Sequence, residues 1–67
     1  MYEFTLEKLR GLMAEKGMKQ IDLADKLTIS MSAMNSKMLG KTEFTLREIR
    51  EIARIFNVEF IITQTQK

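Results

Sequence analysis

The chain contains no cysteine, no histidine and no proline among its 67 residues. Without cysteine it forms neither a disulfide framework nor a cysteine zinc site, and without histidine it lacks the commonest metal ligand and the commonest general base. The remaining acid–base groups do not converge, because the carboxylates fall on outward helix positions near lysine or arginine: Glu7, Glu15, Asp22, Asp25, Glu48 and Glu51. We expect no enzymatic activity, no metal, no cofactor and no small-molecule ligand.

Long apolar runs are also absent. No stretch approaches the roughly 20 apolar residues needed to cross a bilayer, and Met1 to Arg10 carries acids instead of the apolar block of a signal peptide. We therefore expect no membrane partner and a cytoplasmic location. The chain has no linker or low-complexity tract, which predicts one domain over residues 1–67 with its function on the surface.

The charge is unevenly distributed, although the formal net charge is only +2. From Lys26 to Thr42 the chain carries Lys26, Lys37 and Lys41 without any Asp or Glu. This stretch could face an anion such as a nucleic-acid phosphate. An ordinary solvated face explains the same three lysines equally well.

Four amphipathic segments predict a mainly helical fold. Glu3-Phe4-Thr5-Leu6 recurs as Glu43-Phe44-Thr45-Leu46, and both copies begin an apolar periodicity of three and four residues. In the second copy Thr45 can cap a helix while Glu48 closes a capping box. The predicted helices cover about 6–16, 20–27, 31–39 and 46–56, and their expected stop residues include Gly17, Gly40 and Asn57. The expected inward residues of the second helix are Ile21, Leu23, Ala24 and Leu27.

The last segment, about 58–65, is rich in β-branched and aromatic residues and predicts a strand. A single strand leaves unpaired N–H and C=O groups that need another strand. Residues 2–4 could pair with it inside one chain, but a second copy is the better candidate because this segment is short. Two-fold pairing predicts a homodimer that buries Phe60 and Ile62, or Ile61 on the other face.

Two short helices joined by a tight turn form the unit that places its second helix in the major groove of DNA. The segment Gln20-Ile21-Asp22-Leu23-Ala24, followed by Leu27, Ile29, Ser30 and Met34, resembles the helix-turn-helix of the Cro and C1 repressor family of temperate phages. Ser32-Ala33-Met34-Asn35 is especially similar to Cro-type proteins, and the resemblance covers roughly residues 6–58.

The resemblance implies a lambda-repressor-like domain of four helices followed by a C-terminal β-strand, with the helix-turn-helix at about 20–39. It also implies a transcriptional regulator of double-stranded DNA, specifically a Cro-like repressor that binds a palindromic operator. Direct base contacts are expected from the third helix, at Met31, Ser32, Asn35 and Ser36. The alternative is that these side chains only solvate an exposed helix.

Phosphate contacts are expected on both sides of the recognition helix. Gln20 matches the family position that binds a backbone phosphate at a helix N-terminus. The other candidates lie at the end of the third helix or just past it: Lys37, Lys41 and Thr42. Since helix-turn-helix folds also bind proteins, an interaction module of the antirepressor kind, without specific DNA binding, remains the second hypothesis.

Two positions depart from the family pattern. Thr28 stands where the family usually has glycine, and a β-branched residue at positive φ is strained, so we expect the turn to differ in detail from the family's. Lys37 falls where an apolar residue often closes the core. If Met38 takes over that packing, Lys37 is free to reach a phosphate.

Overall fold

The computed structural model describes residues 2–61, which form four helices and two very short strands. Their order is β1 (Tyr2–Glu3), α1 (Leu6–Lys16), α2 (Gln20–Leu27), α3 (Met31–Met38), α4 (Leu46–Phe56) and β2 (Phe60–Ile61). The expected mainly helical fold with a C-terminal strand is confirmed. Helix α3 is one residue shorter than expected because Leu39 is its C-terminal cap.

Side-chain oxygens begin three of the helices. The Thr5 hydroxyl accepts the Lys8 N–H at 3.0 Å, and the Ser30 hydroxyl accepts the Ala33 N–H at 3.1 Å. At the start of α4 the expected capping box is formed: Thr45 accepts the Glu48 N–H at 3.1 Å, and Glu48 Oε1 accepts the Thr45 N–H at 2.8 Å. Each bond satisfies a backbone donor that the helix leaves without a partner. These local bonds explain why the helix starts follow the sequence so closely.

All four helices end in the same way. A left-handed residue is the C-terminal cap of α1, α2 and α4, at φ 65° in Gly17, 59° in Thr28 and 55° in Asn57, and in α3 it comes one position after the cap, at φ 81° in Gly40. Its N–H and the next N–H both donate to carbonyls of the last turn, as in Schellman motifs. The turn after α2 therefore keeps the geometry that glycine favours, and Thr28 adopts the strained conformation.

The core takes side chains from every helix. The most deeply buried large residues are Leu9, Leu23, Met34 and Ile52, one from each helix. Ala24 is 2% exposed and lies in α2, which packs against α3. The expectation that Ile21 points inward is wrong, because its side chain is 58% exposed in the first turn of α2.

The chain's own N-terminal strand pairs with β2, contrary to the expectation that a second copy would supply its partner. The two strands are parallel, with Tyr2 opposite Phe60 and Glu3 opposite Ile61. The Phe4 ring packs edge-on against Phe60 at 5.1 Å and against Phe44 at 5.5 Å between ring centroids. These contacts hold Phe60 inside the protomer. Residues 62–65 of the expected strand, including Ile62, lie outside the described residues.

Candidate nucleic-acid interface

Helices α2 and α3 form a compact helix-turn-helix. Only residues 28–30 separate them, and the Ile29 N–H donates to the Ala24 carbonyl at 3.0 Å. Leu23 and Leu27 from α2 and Met34 from α3 are buried in the common core. Because these residues occupy the inner side of the unit, the opposite side of α3 faces outward.

The outward side of α3 carries the four residues expected to contact bases. Ser32 and Asn35 are exposed, Ser36 is half-buried, and the Met31 side chain is 43% exposed. Among residues 2–61, the side chains of Ser32, Asn35 and Ser36 have no hydrogen-bond partner. Their donors and acceptors are therefore available to a base edge.

The N-terminus of α2 has no side-chain cap, unlike those of the other helices. Lys19 occupies the cap position, and its ammonium group cannot accept a hydrogen bond from the first-turn amides. Asp22 accepts the Lys19 N–H at 3.1 Å, and Gln20 is half-buried as the first helical residue. Uncapped amides at a helix N-terminus can donate to an anion, so the backbone beside Gln20 suits a phosphate.

The loop after α3 has a fixed backbone and exposed side chains. The Lys41 and Thr42 N–H groups both reach the Ser36 carbonyl, at 2.9 and 3.5 Å. Lys41 and Thr42 are exposed, and their side chains have no partner among the described residues. The loop therefore presents a cation and a hydroxyl on an ordered support just beyond α3.

The family model of the Cro/C1-type HTH DNA-binding domain matches residues 8–60. The chain belongs to this family. No curated protein and no solved structure matched the chain. A Cro/C1-type domain carries the fold of DNA-binding regulators, and the family is typically non-enzymatic. Within residues 2–61, no helix of this Cro/C1-type domain is long and apolar enough to span a membrane.

Lys37 is not free to reach a phosphate, which corrects the expectation for this position. Its Nζ lies 3.1 Å from Glu48 Oε1, donates to the Glu43 carbonyl at 3.1 Å and sits 5.6 Å from the centroid of the Phe44 ring. The Lys37 side chain is only 12% exposed. Met38 does take the core position, at 3% exposure, but this does not release Lys37, whose charge is paired within the domain.

The expectation for Glu48, the ion-pair partner of Lys37, is also corrected. Glu48 was expected on an outward position, but it is buried, at 8% exposure. Burial by itself raises the pKa of Glu48, but hydrogen bonds from the Thr45 N–H and from Lys37, together with the Lys37 charge, outweigh burial. The resulting pKa lies below the usual 4.5. Glu48 is therefore ionised at neutral pH and holds α4 to the last turn of α3.

Arg10 of α1 anchors the same end of α3, a contact that the sequence did not reveal. Its Nη2 donates to the Met38 carbonyl at 2.7 Å across 28 positions of sequence. A cation at a helix C-terminus is favoured by the helix dipole as well as by the hydrogen bond. Helix α3 of the Cro/C1-type domain is thus fixed to both α1 and α4 at its C-terminal turn.

Leu39, the C-terminal cap of α3, continues the outward side of the helix and was not among the expected site residues. Its side chain is 60% exposed. It follows Asn35 and Ser36 by four and three positions and Ser32 by seven, so all four residues share one helical face. The seven-residue spacing from Ser32 was the signal available in the sequence.

Proposed function

We propose that this Cro/C1-type domain is a sequence-specific transcriptional regulator that inserts α3 into the major groove of double-stranded DNA and represses by occupying an operator. The outward side of α3 carries the proposal. Its polar side chains have no hydrogen-bond partner among the described residues, two of them are exposed and Ser36 is half-buried, while the helix itself is anchored to α1 and α4. An anchored helix with free donors and acceptors is suited to direct readout of base edges.

The proposed contacts divide into two groups. Ser32, Asn35 and Ser36 would read base edges by hydrogen bonds, and Met31 would touch a thymine methyl group. The α2 N-terminus at Gln20 and the loop residues 41 and 42 would bind phosphates on either side of the groove. Lys37 is left out of the second group because its charge is already paired within the core.

We infer that the operator is palindromic and that the domain binds it as a homodimer. In the described residues the sheet contains only β1 and β2, so β2 has one edge without a neighbouring strand. The Ile61 side chain on this strand is 43% exposed. A two-fold contact centred on Ile61, and extending to Ile62, would hold two recognition helices at a fixed separation.

An interaction module that binds a partner protein is the second candidate. The exposed Ile21 supports it, since an apolar side chain that is 58% exposed contributes little to folding and could enter a protein interface. The modest net charge of +2 also lacks the strong basic character of many DNA-binding domains.

Selection from random duplex DNA separates the two candidates. For a regulator we expect enriched sequences with two inverted half-sites about one helical turn apart. Binding should weaken steeply between 50 and 200 mM salt because phosphate contacts release counterions. Circular dichroism must show that the protein used is folded. A folded protein that enriches no recurring half-site would contradict the regulator and favour the interaction module.

Dimerisation is tested separately by sedimentation at micromolar concentration. We expect twice the protomer mass for the unmodified chain and a shift toward the protomer mass for Ile61→Lys, which keeps the backbone pairing but places a charge in the proposed contact. Ile21→Lys is the matched control, because it makes the same change at an exposed isoleucine on another element, 58% exposed against 43% for Ile61. Equal shifts for both variants, or a protomer mass for the unmodified chain, would contradict the proposed contact.

A further inference from the structure

Leu39 is the most exposed of the exposed large apolar side chains in the described structure. It cannot turn inward by a small loop movement, because its N–H donates to the Asn35 carbonyl at 3.0 Å and the next two N–H groups also bond back into α3. Burying a leucine side chain is favourable. A partner that covers a leucine which the backbone holds in solvent therefore lowers the free energy of the complex.

The position of Leu39 relates it to the other outward residues of α3. Met31 begins the helix and Leu39 caps it, so Leu39 lies eight positions after Met31, about 12 Å along the helix axis. This distance corresponds to roughly three to four base-pair steps of 3.4 Å. Two exposed apolar side chains therefore flank the polar group formed by Ser32, Asn35 and Ser36.

The major groove offers one apolar feature that can match a leucine. Its base edges are hydrogen-bond donors and acceptors except for the C5 methyl group of thymine. Leucine pressed against a polar edge would remove water from that edge without replacing its hydrogen bond, which is unfavourable. Leucine against the methyl group incurs no such loss and buries apolar surface on both sides.

We propose that Leu39 is a specificity-determining residue that contacts a thymine methyl group in each half-site, roughly three to four base pairs from the position that Met31 contacts. The inference rests on the proposed DNA-binding function and adds a base preference at one end of the half-site. It requires no rearrangement of the domain, since the side chain already points away from the core.

The test uses the full chain and the operator obtained by selection. Each thymine is replaced in turn by deoxyuridine, which lacks only the methyl group, and dissociation constants are measured by fluorescence anisotropy for the unmodified chain and for Leu39→Ala. We expect one thymine per half-site whose replacement weakens the unmodified chain roughly fourfold, as loss of one buried methyl contact implies. The same replacement should leave Leu39→Ala unaffected.

Two further variants serve as controls for the position and the chemistry of the contact. Met31→Ala should lose sensitivity to deoxyuridine at a different thymine, and Leu39→Met should keep most of the sensitivity because it restores an apolar side chain of similar reach. Leu39→Ala should retain the thermal midpoint of the unmodified chain, since the leucine is exposed.

The outcomes distinguish this inference from the function on which it rests. If no operator is enriched, both fail. If an operator is enriched and Asn35→Ala changes its preference, but every deoxyuridine replacement affects Leu39→Ala and the unmodified chain alike, only the role of Leu39 is overturned. An operator whose half-sites lack thymine at the required spacing overturns it as well.

Discussion

Thr28 has a backbone conformation that β-branched residues rarely adopt. Its φ and ψ are 59° and 46°, and Asn57 is the only other non-glycine residue of the described chain with positive φ. The left-handed region costs an L-residue about 1 to 2 kcal/mol. The turn is held nonetheless, because the Thr28 and Ile29 N–H groups donate to carbonyls of α2 at 3.2 and 3.0 Å.

Thr28→Gly should therefore stabilise the domain. We expect the free energy of unfolding to rise by about 1 kcal/mol, since the relief of strain exceeds the cost of glycine's greater freedom in the unfolded chain. For a domain of this size the thermal midpoint should rise by about 4 to 8 °C, measured by circular dichroism. Thr42→Gly is the matched control, because Thr42 is exposed and not at positive φ, and it should stabilise nothing. Equal effects at both positions would contradict the strain at Thr28.

At the same scale, the ionisation of Glu48 makes the stability of the domain depend on pH. A carboxylate whose folded pKa is lowered stabilises the fold above its unfolded pKa, near 4.5, and this stabilisation is lost as the pH falls through the lower, folded pKa. We expect the unmodified chain to be more stable than Glu48→Gln at pH 7 and the difference to shrink below about pH 4.5. Urea unfolding at several pH values measures this difference in the free energy of unfolding. If the difference grew on acidification, the pKa of Glu48 would be raised in the folded state instead of lowered.

At the scale of secondary-structure elements, the Lys37–Glu48 pair joins α3 to α4. Lys37→Met should destabilise the domain by about 3 kcal/mol at pH 7, because it leaves the buried carboxylate of Glu48 without its counter-charge. Lys37→Met combined with Glu48→Gln should recover most of this loss, since the amide keeps an oxygen for the Thr45 N–H. Chemical unfolding of the single and double variants tests the pair. A double variant as unstable as the sum of its singles would show that the two side chains act independently.

The elements differ in how well the sequence predicts them, and the reason is the range of the interactions. The starts and ends of the helices depend on bonds within a few residues, so Thr45, Glu48 and Gly17 indicated them correctly. Whether Glu48 faced solvent depended on Lys37, which lies on another helix. The same holds for β2: its composition predicted a strand, but its partner was set by Phe4 and Phe44, which pack in the folded chain. Ile21 was misplaced because a terminal helical turn can project beyond the core.

The sequence predicted the residues of the candidate site that lie on α3 but not the contacts that hold this helix in place. Ser32 and Asn35 follow from the resemblance and from helical spacing, and both are exposed in the structure. The contact of Arg10 could not be predicted, because it is made to the backbone carbonyl of Met38. Any residue at position 38 would offer the same carbonyl, so the sequence gives no sign of the bond. Leu39 was overlooked because an apolar residue at a helix end is usually assigned to packing.

At the scale of the whole molecule, binding to DNA should show two kinds of mutational effect. Asn35→Ala and Ser32→Ala should change the preferred sequence, because base contacts specify. Lys41→Ala should weaken binding to all sequences by similar factors, because each protomer loses a phosphate contact. For the proposed homodimer the salt slope should fall by roughly two units, about one per protomer. Anisotropy titrations on the selected operator and on scrambled duplexes, at several salt concentrations, measure both effects. Uniform losses at Asn35, Ser32 and Lys41 would remove α3 from base readout.

The parallel pairing of β1 with β2 also bears on the order in which the molecule folds. Contacts between neighbouring helices close short loops, whereas the pairing of Tyr2 with Phe60 closes a loop of nearly the whole described chain. Loop closure becomes entropically more costly with length, so the two strands should meet only after the helices have assembled. Interactions made late in folding mainly slow unfolding. We therefore expect the contact between the Phe4 and Phe60 rings to slow unfolding, and so to lengthen the lifetime of the native state, while leaving the rate of folding nearly unchanged.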